Sequence, residues 1–249
     1  DTATIGKVDL ILFCVKSYDT DVAAPALAPV VEAKTVLLSM QNGIDNADKL
    51  ARYYGAERCL AGVVYVGAEL KSPGVIEHTT GGRIIFGSPD SSGGPATRLA
   101  EQALAAAQIP FEISVEIRSM QWHKLLWNAA FCAISSLTHA TTQEIVESDS
   151  LRKLAVECMA EVRAAAATAA VVLKAEAIEQ TLNFSRTLGH FRPSMLQDLE
   201  AGKPLEYEAF NGIVIKQLAA AGQSAPTNRV FYDALQFLDD RIRRQRKGS

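Results

Sequence analysis

Two segments hold most of the side chains that could do chemistry. One reads Trp122-His123-Lys124-Leu125-Leu126-Trp127-Asn128. The other reads Ser194-Met195-Leu196-Gln197-Asp198 and is followed by Glu206 and Asn211-Gly212. Each sets an ionisable group beside an amide or hydroxyl within an apolar, helix-like stretch. Together they offer an ammonium, a carboxylate, a hydroxyl and two carboxamides, a set able to hold a small oxygen-rich acid and hand it a proton. Lys124 and Asn128 are spaced i, i+4 and so share one helix face. Trp122, Leu125, Leu126 and Trp127 would strip water from a lysine placed among them, which weakens its hold on a proton. The same spacing also suits a lysine snorkelling out of an amphipathic helix, and spacing alone does not choose.

Ser194 follows Pro193 and precedes Gln197 at the spacing of a capping box, so a helix is expected to start there with Ser194 as its N-cap. A substrate carboxylate at that helix start is compatible with the same reading. Glu206 and Asn211 lie in Leu205-Glu-Tyr-Glu-Ala-Phe-Asn-Gly212, where surface polarity is an equal alternative. Lys16-Ser17 and Gln41-Asn42-Gly43 each follow an apolar run, where open α/β sheets gather ligands. Asn-Gly is also an ordinary turn dipeptide.

The elements that would position these groups fall into two halves. Val8–Val15 and Thr35–Met40 read as strands buried on both faces, with helices over Asp19–Val31 and Asp45–Tyr54. Cys59–Leu70 alternates like a strand, and Gly74–His78 with Arg83–Gly87 reads as a hairpin. A helix over Pro95–Gln108 and a strand over Phe111–Ile117 complete this half. Helical periodicity then takes over: Met120–Ser136, Leu151–Leu173, Glu176–Leu188, Leu205–Ala221 and Asn228–Arg244. The expectation is an α/β domain over residues 1–117, a Rossmann-like open sheet, then an all-α domain over 118–249.

Composition excludes several partner classes. The chain is 48% hydrophobic and 21% charged with a net charge of −3, which gives no electrostatic footprint for nucleic acid. The one basic run, Arg241–Lys247, suits the cation-rich end of a C-terminal helix. The four cysteines form no C-x-x-C pair, and the four histidines are scattered, so no metal site is expected. No stretch reaches the ~20 apolar residues of a membrane span, and no secretory leader pattern is visible. A cytoplasmic protein is expected. No G-x-G-x-x-G precedes the first apolar strand, and such a strand at an open edge invites aggregation. The sheet is therefore expected to be N-terminally truncated in this sequence, with cover by another chain as the alternative.

Taken in order, these segments resemble the ketopantoate reductase (2-dehydropantoate 2-reductase) family. The matching positions are Val15-Lys16-Ser17-Tyr18, Gln41-Asn42-Gly43, Pro73-Gly74-Val75 with His78, Trp122-x-Lys124-Leu125-x-x-Asn128-Ala129, Ser194–Asp198, Glu206 with Asn211-Gly212, and Pro226-x-Asn228. The resemblance implies a general acid at Lys124 and a glutamate at Glu206 that orients it and contacts substrate and cofactor. It implies substrate contacts at Asn128, Ser194, Asn42 and Asn211, and cofactor contacts at Lys16 and Asn42. It implies NADPH as cofactor, a 2-oxo acid as substrate, a role in making pantoate for coenzyme A, and a possible homodimer through the helical domain. Two positions depart from some relatives, which carry asparagine where this chain has Cys132 and Phe191. Both changes make the pocket less polar and favour a more apolar 2-oxo acid. The alternatives are a truncated, non-catalytic paralogue serving as a binding or dimerisation module, and a dehydrogenase of related fold acting on a 3-hydroxy acid or polyol phosphate.

Overall fold

The computed structural model describes residues 2–247, apart from the side chains of residues 69, 79, 80 and 247. The chain divides into two compact units, Asp1–Gln121 and Trp122–Ser249. The extreme ends of the two expected spans, residues 1 and 248–249, lie outside the described residues.

The first unit is built on a five-stranded sheet whose strands follow chain order. They are β1 (Leu10–Phe13), β2 (Val36–Ser39), β3 (Cys59–Ser72), β4 (Val75–Gly87) and β5 (Phe111–Ile113). β1, β2 and β3 run parallel, β4 is antiparallel to β3, and β5 is parallel to β4. Three helices cover the sheet: α1 (Thr20–Ala26), α2 (Asn46–Tyr54) and α3 (Pro95–Ala106). β2 shows why its sequence is a continuous apolar run. Val36 and Leu38 point to one face and pack with Ala96, Ala100 and Leu104 of α3. Leu37 points to the other and packs with Ala24 of α1 and Leu50 of α2. A strand covered on both faces cannot alternate with polar residues.

Three expectations need correction here. The last strand, expected over Phe111–Ile117, stops at Ile113, and Ile117 already begins a helix. Only Leu10–Phe13 of the expected Val8–Val15 strand forms β1. It bonds to β2 alone among the described strands, and Leu12 is 42% exposed. A strand with one neighbour is not buried throughout. The hairpin is also different. Gly74–His78 and Arg83–Gly87 are not partners but parts of one strand, β4, which pairs with β3 from Ala61↔Gly87 to Ser72↔Val75. The turn is Ser72-Pro73-Gly74-Val75. Gly81-Gly82 absorbs a register shift between Tyr65 and Val66, with φ of +74° at Gly81 and +117° at Gly82.

The second unit is helical, with no strand among its described residues. Its elements are α4 (Ile117–Trp127), which starts in the first unit, α5 (Ala133–Thr138), α6 (Thr142–Glu147), α7 (Asp149–Thr168), α8 (Ala177–Thr187), α9 (Ser194–Glu200), α10 (Ile213–Ala220) and α11 (Pro226–Lys247). Two π-helical segments interrupt the expected helices: π1 (Asn128–Cys132) between α4 and α5, and π2 (Glu208–Gly212) before α10. The alanine run of α7 serves close packing, since Ala165 and Ala166 are fully buried and α7 lies against both π1 and α10. No helix among the described residues is long and apolar enough to cross a membrane.

Candidate active site

In the first unit the candidate groups sit where two parallel strands end. Lys16 follows β1 and Gln41-Asn42-Gly43 follows β2, so both loops leave from the carboxyl ends of paired strands. A buried polar web holds the loops in place. Ser17 Oγ donates to the Asn42 carbonyl at 2.8 Å, and Asn46 Nδ2 donates to the same carbonyl at 2.7 Å. Gln41 Nε2 donates to Thr20 Oγ1 at 2.7 Å, and Thr20 Oγ1 donates to Asn46 Oδ1 at 3.1 Å. Lys16 and Asn42 are both partly exposed at this edge. Thr20 and Asn46, which fasten the loops, were not marked by any sequence motif considered above.

In the second unit α4 carries Lys124, and π1 begins at Asn128. Lys124 is partly buried, and Asn128 and Glu206 are 5% and 4% exposed. Loss of water around Lys124 pushes its ammonium down to about 8, against the opposing pull of Cys132 and then of Glu206. Lys124, Cys132 and Glu206 therefore share one electrostatic neighbourhood, although they come from α4, π1 and the turn before π2. Cys132 was marked in the sequence only as a departure from relatives. Nearby, the Trp127 ring stacks on Phe131 at 5.5 Å and meets Phe191 at 6.2 Å, and its Nε1–H donates to Ser185 Oγ at 3.1 Å.

Ser194 is not the N-cap. Pro193 takes that position with φ −56° and ψ 150°, and Ser194 is the first helical residue of α9, exposed. Gln197 does not reach back to the Ser194 backbone; its Nε2 donates to the Arg192 carbonyl at 2.7 Å. A proline at the cap has no side-chain acceptor, so the box cannot form. α9 nonetheless packs against π1, the segment that starts with Asn128.

Asn211 is also placed differently from the expected substrate contact. It is fully buried, and its Nδ2 donates to the Ala129 carbonyl of π1 at 3.0 Å and to Asn228 Oδ1 at 2.9 Å. Asn228 in turn donates from Nδ2 to Glu161 Oε2 at 2.7 Å. The Glu161 carboxylate also accepts the backbone N–H groups of Thr227 and Asn228, at 2.8 and 2.9 Å, and so caps the start of α11. Asn211 thus belongs to a network inside the helical unit. Replacing Glu161 with Ala should strip the acceptor from three donors and cost about 2–4 kcal/mol of stability, since unpaired polar groups lose their full desolvation energy. Urea unfolding measures this, and an unchanged midpoint would show that the network adds nothing.

Among the described residues no three His, Cys, Asp or Glu side chains gather as metal ligands. Residues 1–91 match the family model for ketopantoate reductase PanE/ApbA, and residues 116–239 match that for ketopantoate reductase PanE/ApbA C terminal. The chain belongs to the ketopantoate reductase family. The 2-dehydropantoate 2-reductase of Pyrococcus abyssi is 30% identical over 229 residues, 91% of this chain and 74% of that protein. A PanE/ApbA family ketopantoate reductase from Ralstonia eutropha JMP134 has a crystal structure that matches with a TM-score of 0.88 at 31% identity, covering 98% of this chain and 80% of that one. D-mandelate dehydrogenase, solved with NADH and anilino(oxo)acetate, shares the fold: TM-score 0.87, 17% identity, 97% of this chain and 80% of that one. As a member of the ketopantoate reductase family, the chain is an oxidoreductase. Its fold is that of the family, a Rossmann-like sheet unit plus a helical unit.

Proposed function

We propose that this family member reduces a 2-oxo acid with NADPH, the substrate being 2-dehydropantoate or a related, more apolar 2-oxo acid. The observation that carries the reading is Lys124, held at about 8 by dehydration beside Cys132 and Glu206. A donor with that affinity is both largely protonated and ready to release its proton near neutral pH.

The first unit is the cofactor-binding domain in this reading, and the second binds substrate and carries the homodimer contact. The carboxyl ends of β1 and β2 suit a nicotinamide cofactor, because Lys16 offers a cation and Asn42 a carboxamide at a polar, partly exposed strand edge. When bound, the cofactor supplies the hydride that adds to the ketone carbon. Lys124 stabilises the oxygen as alkoxide charge develops and then gives it a proton, an interaction that reaches full strength only near the transition state. Glu206 orients the Lys124 ammonium, accepts a hydrogen bond from the substrate and contacts the cofactor. Asn128 and Ser194 hold substrate oxygens, with Asn42 between substrate and cofactor. Cys132 and Phe191 favour an apolar substituent. The four free thiols fit a reducing cytoplasm.

The test is a panel of 2-oxo acids, polar and apolar, assayed with NADPH and NADH on the gene's full translation product. Turnover should prefer NADPH, and kcat should fall as pH rises through about 8, because the acid must be protonated to act. A protein that binds these acids but turns over none of them would be the non-catalytic binding module instead.

A further inference from the structure

π1 and π2 pack against each other, and π1 ends at Cys132, the side chain that first opposes dehydration at Lys124. In an unbroken α-helix Lys124 and Cys132, eight positions apart, would sit about 80° apart around the axis. A π turn absorbs an extra residue and closes much of that angle. It also displaces main-chain carbonyls from their ordinary helical partners. The Ala129 carbonyl, inside π1, is met by Asn211 Nδ2 at 3.0 Å. The second Asn211 bond, to Asn228 and through it to Glu161, fixes the carboxamide from behind. Asn211 Oδ1 is buried without a hydrogen-bond partner. A leucine of similar shape would remove that orphan but would also take the donor away from the Ala129 carbonyl and Asn228 Oδ1. Asn211 is thus the side chain that ties the main chain of π1 to the buried network.

We propose that Asn211 is a positioning residue for the reaction: its amide holds π1 in its wide turn and so keeps Lys124, Asn128 and Cys132 on one face. The effect on turnover rests on the reduction reading above. The test compares Asn211→Leu with Leu182→Ala, a cavity variant in α8 of the same unit and outside this network. Both are measured for thermal midpoint, kcat, KM and NADPH affinity. The titration of Lys124 is followed by NMR after ¹³C-methylation of lysines, which needs no turnover. Asn211→Leu should lower kcat by about 10–100-fold with NADPH affinity unchanged. It should also move the Lys124 titration by more than about half a pH unit. Leu182→Ala should lose thermal stability but keep both kcat and the titration. The proposal is overturned if Asn211→Leu keeps parental kcat and titration, or if Leu182→Ala reproduces its losses. If the parent reduces no 2-oxo acid, the reduction reading falls alone, and the titration still decides the role of Asn211.

Discussion

Replacing Lys124 with Ala lowers kcat by about 10²–10⁴-fold, the range for removal of a positioned general acid. The ketone oxygen gains a full negative charge as hydride arrives, and this charge must be met before product can form. Lys124 shares its electrostatic neighbourhood with Cys132 and Glu206. Its dehydration brings its proton affinity down to about 8, so the proton can be given up near neutral pH. Lys124→Arg should not restore the rate. A guanidinium keeps its proton at every accessible pH, so it can stabilise charge but not transfer a proton. NADPH affinity should change by less than about threefold, which separates a transition-state effect from a binding one. A Lys124→Ala enzyme working near the parental rate would remove the assigned acid and most of the mechanism.

The sequence revealed the sheet best where both faces of a strand are covered. Val36, Leu37 and Leu38 form an uninterrupted apolar run because alternate side chains enter two separate cores. It misled over Gly74–His78 and Arg83–Gly87, which read as the two arms of a hairpin. Both lie in β4; the chain reverses at Ser72-Pro73-Gly74-Val75, and Gly81-Gly82 between the two stretches forms a bulge in the long β3–β4 ladder. Capping chemistry failed in both directions. Thr141-x-x-Glu144 forms a true box: Glu144 N donates to Thr141 Oγ1, and Thr141 N donates to Glu144 Oε2 at 2.8 Å. It starts α6, a helix that periodicity overlooked because it is a single short stretch. Ser194-x-x-Gln197 has the same spacing, but Pro193 holds the cap.

The site was legible in its residue types but not in its local geometry. Lys124, Asn128 and Glu206 could be chosen because each is polar within an apolar stretch. That two π turns interrupt the helices there could not, since one added residue barely disturbs a 3.6-residue pattern over so few positions. The Glu161–Asn228–Asn211 network was invisible for a different reason. Its members come from α7, α11 and π2, and no local motif links them.

Glu206→Gln tests the other half of the site and should produce two separable effects. The first is a fall in kcat/KM of about 10–100-fold, the weight of one charge-assisted hydrogen bond lost at a buried site. Glu206 is only 4% exposed, so water cannot readily stand in for its charge. KM should rise as well, because the carboxylate is assigned to the bound substrate before reaction and not only at the transition state. The second effect concerns pH. Glu206 favours the charged form of Lys124, against the larger influence of dehydration. Removing that negative charge leaves dehydration less opposed, so Lys124 should release its proton at lower pH than the parental value of about 8. The high-pH fall in kcat should therefore begin earlier in Glu206→Gln than in the parent. A role confined to folding would lower stability without moving this limb. A limb that moved to higher pH would mean that Glu206 does not support the ammonium, and the pairing of the two residues would have to be abandoned.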